Sequence, residues 1–120
     1  MVVDDNVDAA QTAAMLIEAH GHTVSVAYSA ASALAHISTA TPDVMVIDIG
    51  LPDMDGYAVC RHLRTQPQTS KSVLIALTGY GQEQDRELAR TAGFDFHLIK
   101  PADHTQLLTV LGKVATKAVP

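Results

Sequence analysis

Four apolar runs in this chain end on groups that can hold a cation or a phosphate. Met1-Val2-Val3 runs into Asp4-Asp5, and Val44-Met45-Val46-Ile47 runs into Asp48. Val73-Leu74-Ile75-Ala76-Leu77 leads to Thr78, and Phe96-His97-Leu98-Ile99 leads to Lys100-Pro101. Singly, each has an ordinary reading: Asp4-Asp5 could cap a helix, Asp48 could end a strand, Thr78-Gly79 reads as a turn and Lys100-Pro101 as a loop. Together they imply more. Three carboxylates converging on one pocket repel one another unless a cation joins them. The ligands on offer are all oxygens, which suits Mg²⁺ and lets it keep waters that a phosphate can replace. Thr78 adds a hydroxyl donor and Lys100 a positive charge, so the pocket fits a phosphoryl group carried on a carboxylate. Asp48, between the acidic pair and the Thr78/Lys100 side, is the best nucleophile. This chemistry requires that the ends of the runs meet.

The elements that would bring them together follow from periodicity. After Asp4-Asp5-Asn6, apolar positions Ala9, Ala13, Leu16 and Ile17 mark a helical face that Gly21 stops. Thr23 to Ala27 alternates as a strand, and Ser29 caps a helix carrying Ala30, Ala33, Leu34 and Ile37 up to Thr41-Pro42. Val44 to Ile47 is a continuous apolar strand. Asp55-Gly56 then opens a helix with Val59, Cys60 and Leu63 that Gln66-Pro67 ends. Ser72 to Leu77 leads to a helix from Gln82 to Ala92 stopped by Gly93. Phe94 to Ile99 leads to one from about Asp103 with Leu107, Leu108, Leu111 and Val114. Strands alternating with helices predict an α/β fold, a single doubly wound (βα)5 domain of flavodoxin-like type with parallel sheet order 2-1-3-4-5. In that order Asp4 and Asp5 end beside Asp48, with Thr78 next and Lys100 beyond.

With 120 residues, 48% of them apolar, the chain predicts one domain over 1–120 with a single core. Its net charge of −5 and scattered lysines and arginines argue against nucleic-acid binding. No apolar stretch approaches the roughly 20 residues that cross a bilayer, so direct membrane insertion is not expected. One cysteine, Cys60, excludes an internal disulfide; beside Val59 and Leu63 it reads as a partly buried thiol, compatible with a reducing, cytoplasmic setting. The short first strand and the tail 115–120, which lacks packing signals, read as ends where a larger protein continues. Oligomeric state leaves no mark in the sequence.

Four motifs in order, Val2-Val3-Asp4-Asp5-Asn6, Asp48 with Leu51-Pro52-Asp53-Met54-Asp55-Gly56, Ala76-Leu77-Thr78-Gly79, and Lys100-Pro101, resemble the response-regulator receiver domain of two-component signalling over nearly the whole chain. The resemblance implies that Asp48 accepts a phosphoryl group from the phosphohistidine of a histidine kinase or histidine phosphotransfer protein. It implies that Asp5 binds Mg²⁺ directly, Asp4 largely through water, and the Gly50 carbonyl completes the protein ligands. Thr78 would bond the phosphoryl oxygen after transfer and Lys100 would pair with it, aimed by a cis peptide before Pro101. The domain would be a regulatory phosphoacceptor that catalyses its own phosphorylation, its output a changed helix 4, strand 5, helix 5 surface. The phrases Asp4 to Ala10, Ile75 to Gln82 and Gly93 to Pro101 are further similar to receivers fused to hybrid histidine kinases, which would allow tethering through a membrane-bound kinase.

Two positions depart from the family pattern. His97 stands where receivers usually place tyrosine or phenylalanine as a rotamer switch, and an imidazole is smaller and titrates near neutral pH. Gly50 stands where larger polar residues are common. Asp53 and Asp55 read as turn and helix-cap residues beside Pro52 and Gly56. The remaining histidines, His20, His22, His36, His62 and His104, lie outside metal-ligand spacings, and none is followed by glutamate. The rival readings are a small phosphatase of the haloacid dehalogenase type and a docking-only pseudo-receiver. The first lacks, at Gly50, the second aspartate such enzymes carry two residues after the nucleophile, and the chain has no cap domain; the second is disfavoured by the full set of side chains.

Overall fold

The computed structural model describes residues 1–79, 83–100 and 104–118. Strands and helices alternate: β1 (Val2–Val3), α1 (Val7–Ala19), β2 (Val26–Ala27), α2 (Ala30–Ile37), β3 (Val44–Asp48), α3 (Gly56–Thr65), β4 (Val73–Thr78), α4 (Glu83–Ala92), β5 (Phe96–Ile99) and α5 (His104–Ala118). The strands form one parallel sheet in the order β2-β1-β3-β4-β5, as the alternation predicts.

Period-two alternation divides each strand between two layers of core. Val3, Met45, Ile47, Leu74 and Ala76 face α2, α3 and α4, where they meet Ala33, Val59, Leu63 and Ala89. Val2, Val46, Ile75, Leu77 and Leu98 face the other way, onto Ala10 and Ile17 of α1 and Leu107 and Val110 of α5. Burial of central side chains such as Met45 and Ile47, both fully enclosed, contributes about 1.5–3 kcal/mol each. This two-sided covering lets β3 and β4 be apolar along most of their length while their polar ends emerge together at one edge.

The register sets that edge. Val3 lies opposite Ile47, Ile47 opposite Ala76, and Thr78 opposite Ile99. The bonds continue one step beyond the paired core: the Asp4 N–H donates to the Ala27 carbonyl at 3.0 Å, the Ile49 N–H to Leu77 at 3.1 Å, and the Lys100 N–H to Thr78 at 2.6 Å. Asp4, Asp48, Thr78 and Lys100 therefore stand at the carboxyl ends of four neighbouring strands.

Several boundaries differ from the sequence expectation. The edge strand β2 is paired only at Val26–Ala27, because its one neighbour, β1, is two residues long. Helix α2 stops at Ile37 instead of reaching Thr41: the Ser38 and Thr39 hydroxyls donate to the Ala35 and His36 carbonyls at 2.6 and 3.0 Å and end the ladder. Of the expected α1 face, Ala9, Ala13, Leu16 and Ile17, Ile17 is buried as expected, while the other buried positions are Ala10 and Ala14, one step round from Ala9 and Ala13. In an alanine-rich helix adjacent stripes are both apolar, so periodicity does not choose between them. Strand β5 begins at Phe96, two residues late, since Gly93 (φ +116°) turns the chain out of α4 and Phe94 packs edge-on against Tyr57. Cys60 is fully, not partly, buried, and its thiol donates to the Ala92 carbonyl at 3.3 Å. The peptide before Pro101, expected to be cis, lies outside the described residues, as does Asp103.

Candidate functional site

Asp4 and Asp48 are 2% and 3% exposed, although they are carboxylates at the ends of strands; Asp5 is exposed beside them. One oxygen from each of the three lies within 4.8 Å of the others. Each buried carboxylate is oriented by backbone two residues ahead. Asp4 Oδ1 accepts from the Asn6 N–H at 3.0 Å, and Asp48 Oδ1 accepts from the Gly50 N–H at 3.0 Å. Asn6, not either aspartate, is the helix cap: its Oδ1 accepts from the Ala9 N–H at 3.0 Å, which removes the capping role for Asp4-Asp5.

Lys100 closes the cluster. Its Nζ is 2.8 Å from Asp48 Oδ2 and 3.9 Å from Asp4 Oδ2. With all three carboxylates ionised, this single cation leaves two negative charges uncompensated in a largely buried space. The Asp4 carboxyl is pushed above its usual range, first by burial and then, against the Asn6 hydrogen bond, by the neighbouring Asp48 charge. An all-oxygen donor set, excess negative charge and a carboxylate that resists ionising alone fit a hard divalent cation of the Mg²⁺ type.

The segment between β3 and α3 is fixed independently. Leu51 is buried, the Gly56 N–H donates to Ile49 O at 2.9 Å, and Asp55 caps α3 by accepting from the Ala58 N–H at 2.9 Å. Gly56 is required by contact: a Cβ there would meet Ile49 Cα at 2.7 Å and Asp48 O at 2.8 Å. Gly50 is not, since a Cβ would sit 3.7 Å from Asp48 Oδ1, an ordinary contact. Asp53 has a part the sequence did not show. Its two oxygens accept from the Ala31 and Ala30 N–H groups at 2.9 and 3.0 Å, tying this segment to the start of α2 and holding its own carboxyl below the usual range. No spacing rule predicts a bond across 22 residues; the only available signal was that α2 offers more N–H groups than Ser29 alone can satisfy.

Thr78, 5% exposed, ends β4 beside Asp48, and its Oγ1 lies 3.0 Å from His97 Nε2. The two residues expected to move together are thus already bonded. The structure brings Asp4, Asp5, Asp48 and Lys100 into one cluster, places the Gly50 backbone against Asp48, and sets the Thr78–His97 pair on the adjacent strands.

The sequence profile of the response regulator receiver domain matches residues 1–112. The chain belongs to this family. The receiver domain is 34% identical over 111 residues to a 14.6 kDa protein of Leptolyngbya boryana, covering 92% of this chain and 85% of that one. It is 30% identical over 109 residues to the CAI-1 autoinducer sensor kinase/phosphatase CqsS of Vibrio cholerae, spanning 90% of this chain and 16% of the kinase. The chemotaxis response regulator CheY4 of Vibrio cholerae superposes with a TM-score of 0.89 at 26% identity, over 94% of each chain. Relatives of the receiver domain therefore include both proteins of its own size and a much longer sensor kinase. Family membership decides for two-component signalling over a haloacid-dehalogenase-type hydrolase. No helix among the described residues is long and apolar enough to cross a membrane.

Proposed function

We propose that the domain accepts a phosphoryl group on Asp48 from the phosphohistidine of a histidine kinase or histidine phosphotransfer protein in the cytoplasm, acting as a regulatory switch. The observation that carries this reading is the setting of Asp48. One of its oxygens is held by the Gly50 N–H, the other faces a lysine, and two further carboxylates lie alongside.

Asp5 and Asp48 would ligate Mg²⁺ with the Gly50 carbonyl, and Asp4 would act largely through water. The ion, when bound, supplies positive charge against the incoming phosphoryl oxygens. The chain's own residues do the rest. Lys100, paired with Asp48 Oδ2 at rest, releases it to form the new P–O bond while the P–N bond to the donor histidine breaks and its electron pair returns to the imidazole. Lys100 then pairs with a phosphoryl oxygen, and Thr78, from the neighbouring strand end, donates its hydroxyl to another. The mark adds up to about two negative charges at one point. Because Thr78 and Lys100 belong to β4 and the end of β5, the pull is delivered to the α4, β5, α5 face, which is the output surface. Sequence phrases shared with fused receivers and the likeness to a sensor kinase support a place within, or next to, a hybrid kinase.

Incubation with a phosphorylated kinase and Mg²⁺ gives acid-labile label on the wild-type domain and none on Asp48→Asn or Asp48→Ala. Undiminished labelling of either variant places the acceptor elsewhere. Failure of the wild-type domain to bind beryllofluoride with Mg²⁺ returns it to a docking-only role.

A further inference from the structure

Gly50 would give the metal site a backbone carbonyl, and the direction of that carbonyl is not set by Gly50 itself. The residue is exposed, and a Cβ there would sit 3.7 Å from Asp48 Oδ1, in ordinary contact, so packing does not lock it. Glycine also turns about its own dihedrals more freely than any other residue. Its carbonyl must be held from the two sides. On one side the Gly50 N–H is bonded to Asp48 Oδ1 at 3.0 Å. On the other side run Leu51, Pro52 and Asp53.

That arm is stiff. The ring of Pro52 fixes its φ, and a residue before proline is biased to extended backbone, which restricts Leu51 in turn. The Leu51 side chain is buried in the same cluster as Ala30, Ala33 and Ile37 of α2. At the far end of the arm the Asp53 carboxylate accepts from the Ala30 and Ala31 N–H groups at 3.0 and 2.9 Å. The post it grips is firm: Ala30 is 1% exposed, and Ser29 caps the helix separately by accepting from the Ser32 N–H at 3.1 Å. Asp53 therefore satisfies two N–H groups that α2 cannot satisfy for itself. Asp55 does likewise for α3 through the Ala58 N–H, but it lies beyond Asp53 and outside the arm that leads to Gly50.

Resting on the phosphoacceptor reading above, we propose that Asp53 is the positioning residue for the metal ligand Gly50: by gripping the start of α2 it fixes the Leu51–Pro52 arm, and with it the direction of the Gly50 carbonyl, so that Mg²⁺ meets a ligand already in place. The coupling is reciprocal. By whatever factor the Asp53–α2 bonds raise the affinity for Mg²⁺, bound Mg²⁺ favours those bonds by the same factor. Occupancy of the metal site is thus felt at the start of α2, away from Thr78 and Lys100.

The test is a titration with Mg²⁺ alone, no phosphodonor present, read by backbone amide shifts, with urea unfolding in chelator as the check on folding. Asp53→Ala binds Mg²⁺ about fivefold more weakly than wild type, at the low end of couplings between sites because one of the two bonds is open to water. Two further variants separate this from other causes. Ser29→Ala removes the other cap of α2, and Asp55→Asn removes one negative charge from the same loop; both leave the arm in place and bind Mg²⁺ as wild type does. Independently of any variant, hydrogen exchange of the wild-type Ala30 and Ala31 N–H groups slows on saturation with Mg²⁺, relative to the Ala58 N–H, by up to the same factor. Should Asp53→Ala fail to fold, that exchange comparison decides alone. Wild-type affinity in Asp53→Ala, equal weakening by Ser29→Ala or Asp55→Asn, or exchange at Ala30 and Ala31 that ignores Mg²⁺ overturns the inference and leaves the phosphoacceptor reading intact. Absence of Mg²⁺ binding by the wild-type domain overturns both.

Discussion

Replacing Asp4 by asparagine should make the metal-free protein more stable while removing its response to Mg²⁺. The introduced amide can keep the bond to the Asn6 N–H through its carbonyl oxygen, so what changes is charge. At an effective dielectric constant near 20, two unit charges no more than 4.8 Å apart repel by about 3.5 kcal/mol or more, both Asp48 and the exposed Asp5 lie within that distance of Asp4, and a lysine at 3.9 Å returns about 4.3 kcal/mol. The lysine is 36% exposed, so its contribution is the more heavily screened and does not outweigh the repulsion. Burial acts in the same direction. A carboxylate 2% exposed gives up hydration that Lys100 does not replace, and its raised pKa has burial as the leading cause. The expected gain for Asp4→Asn is about 1–2 kcal/mol at pH 7, or a rise in Tm of roughly 4–10 °C. A group whose pKa is raised on folding costs stability when ionised. The cost is absent at low pH and grows as pH climbs from the ordinary carboxylate value through the raised one. The gap between variant and wild type should therefore narrow on acidification. Urea unfolding at pH 7 and at about pH 4, with chelator or with millimolar Mg²⁺, measures each part. Added Mg²⁺ should stabilise the wild type by mass action and move the variant little. A variant no more stable than wild type in chelator at pH 7 refutes the charge accounting.

Two further predictions concern the framework. Arg64 donates to the carbonyls of Gly93, Ser70 and Ser72 and to Asp95 Oδ2, at 2.7 to 3.1 Å, so Arg64→Ala should lose about 2–4 kcal/mol in urea unfolding without changing Mg²⁺ affinity. Cys60 has its thiol pushed up to about 11, chiefly by burial, so at pH 8 it should react with Ellman's reagent only as fast as the fold opens. Because the folded state holds that proton more tightly, stability should fall as pH rises from the ordinary thiol value toward 11.

The strand-end placement was readable because it depends on few variables. Apolar runs in β3 and β4 fix where buried strands stop, a parallel sheet of this size admits few orders, and the register then brings Asp4, Asp48, Thr78 and Lys100 to one edge. Contacts that depend on tertiary placement were not readable. Asp53 looked like a turn residue because its partners, Ala30 and Ala31, contribute only backbone N–H groups, which carry no sequence signature. Ile17 of α1 was placed correctly, but at Ala9 and Ala13 the inward face was displaced by one residue because alanine fills both stripes. For His97 the unusual residue type was visible, but not that its ring already meets Thr78.

Arg64 also determines how a force at the site is carried. It grips the chain at Ser72, Gly93 and Asp95, and Asp95 in turn accepts from the Leu74 N–H at 2.9 Å, so β4 and β5 are clamped together at their beginnings. Thr78 lies at the far end of β4, opposite Ile99 at the far end of β5. The arginine stiffens the start of a strand already held on both sides, by β3 from Val73 to Leu77 and by β5 from Ile75 to Thr78, so a pull on Thr78 meets least resistance at the end furthest from the clamp. The greatest travel therefore falls at the carboxyl edge and the helix ends beside it, while the opposite rim stays a fixed frame.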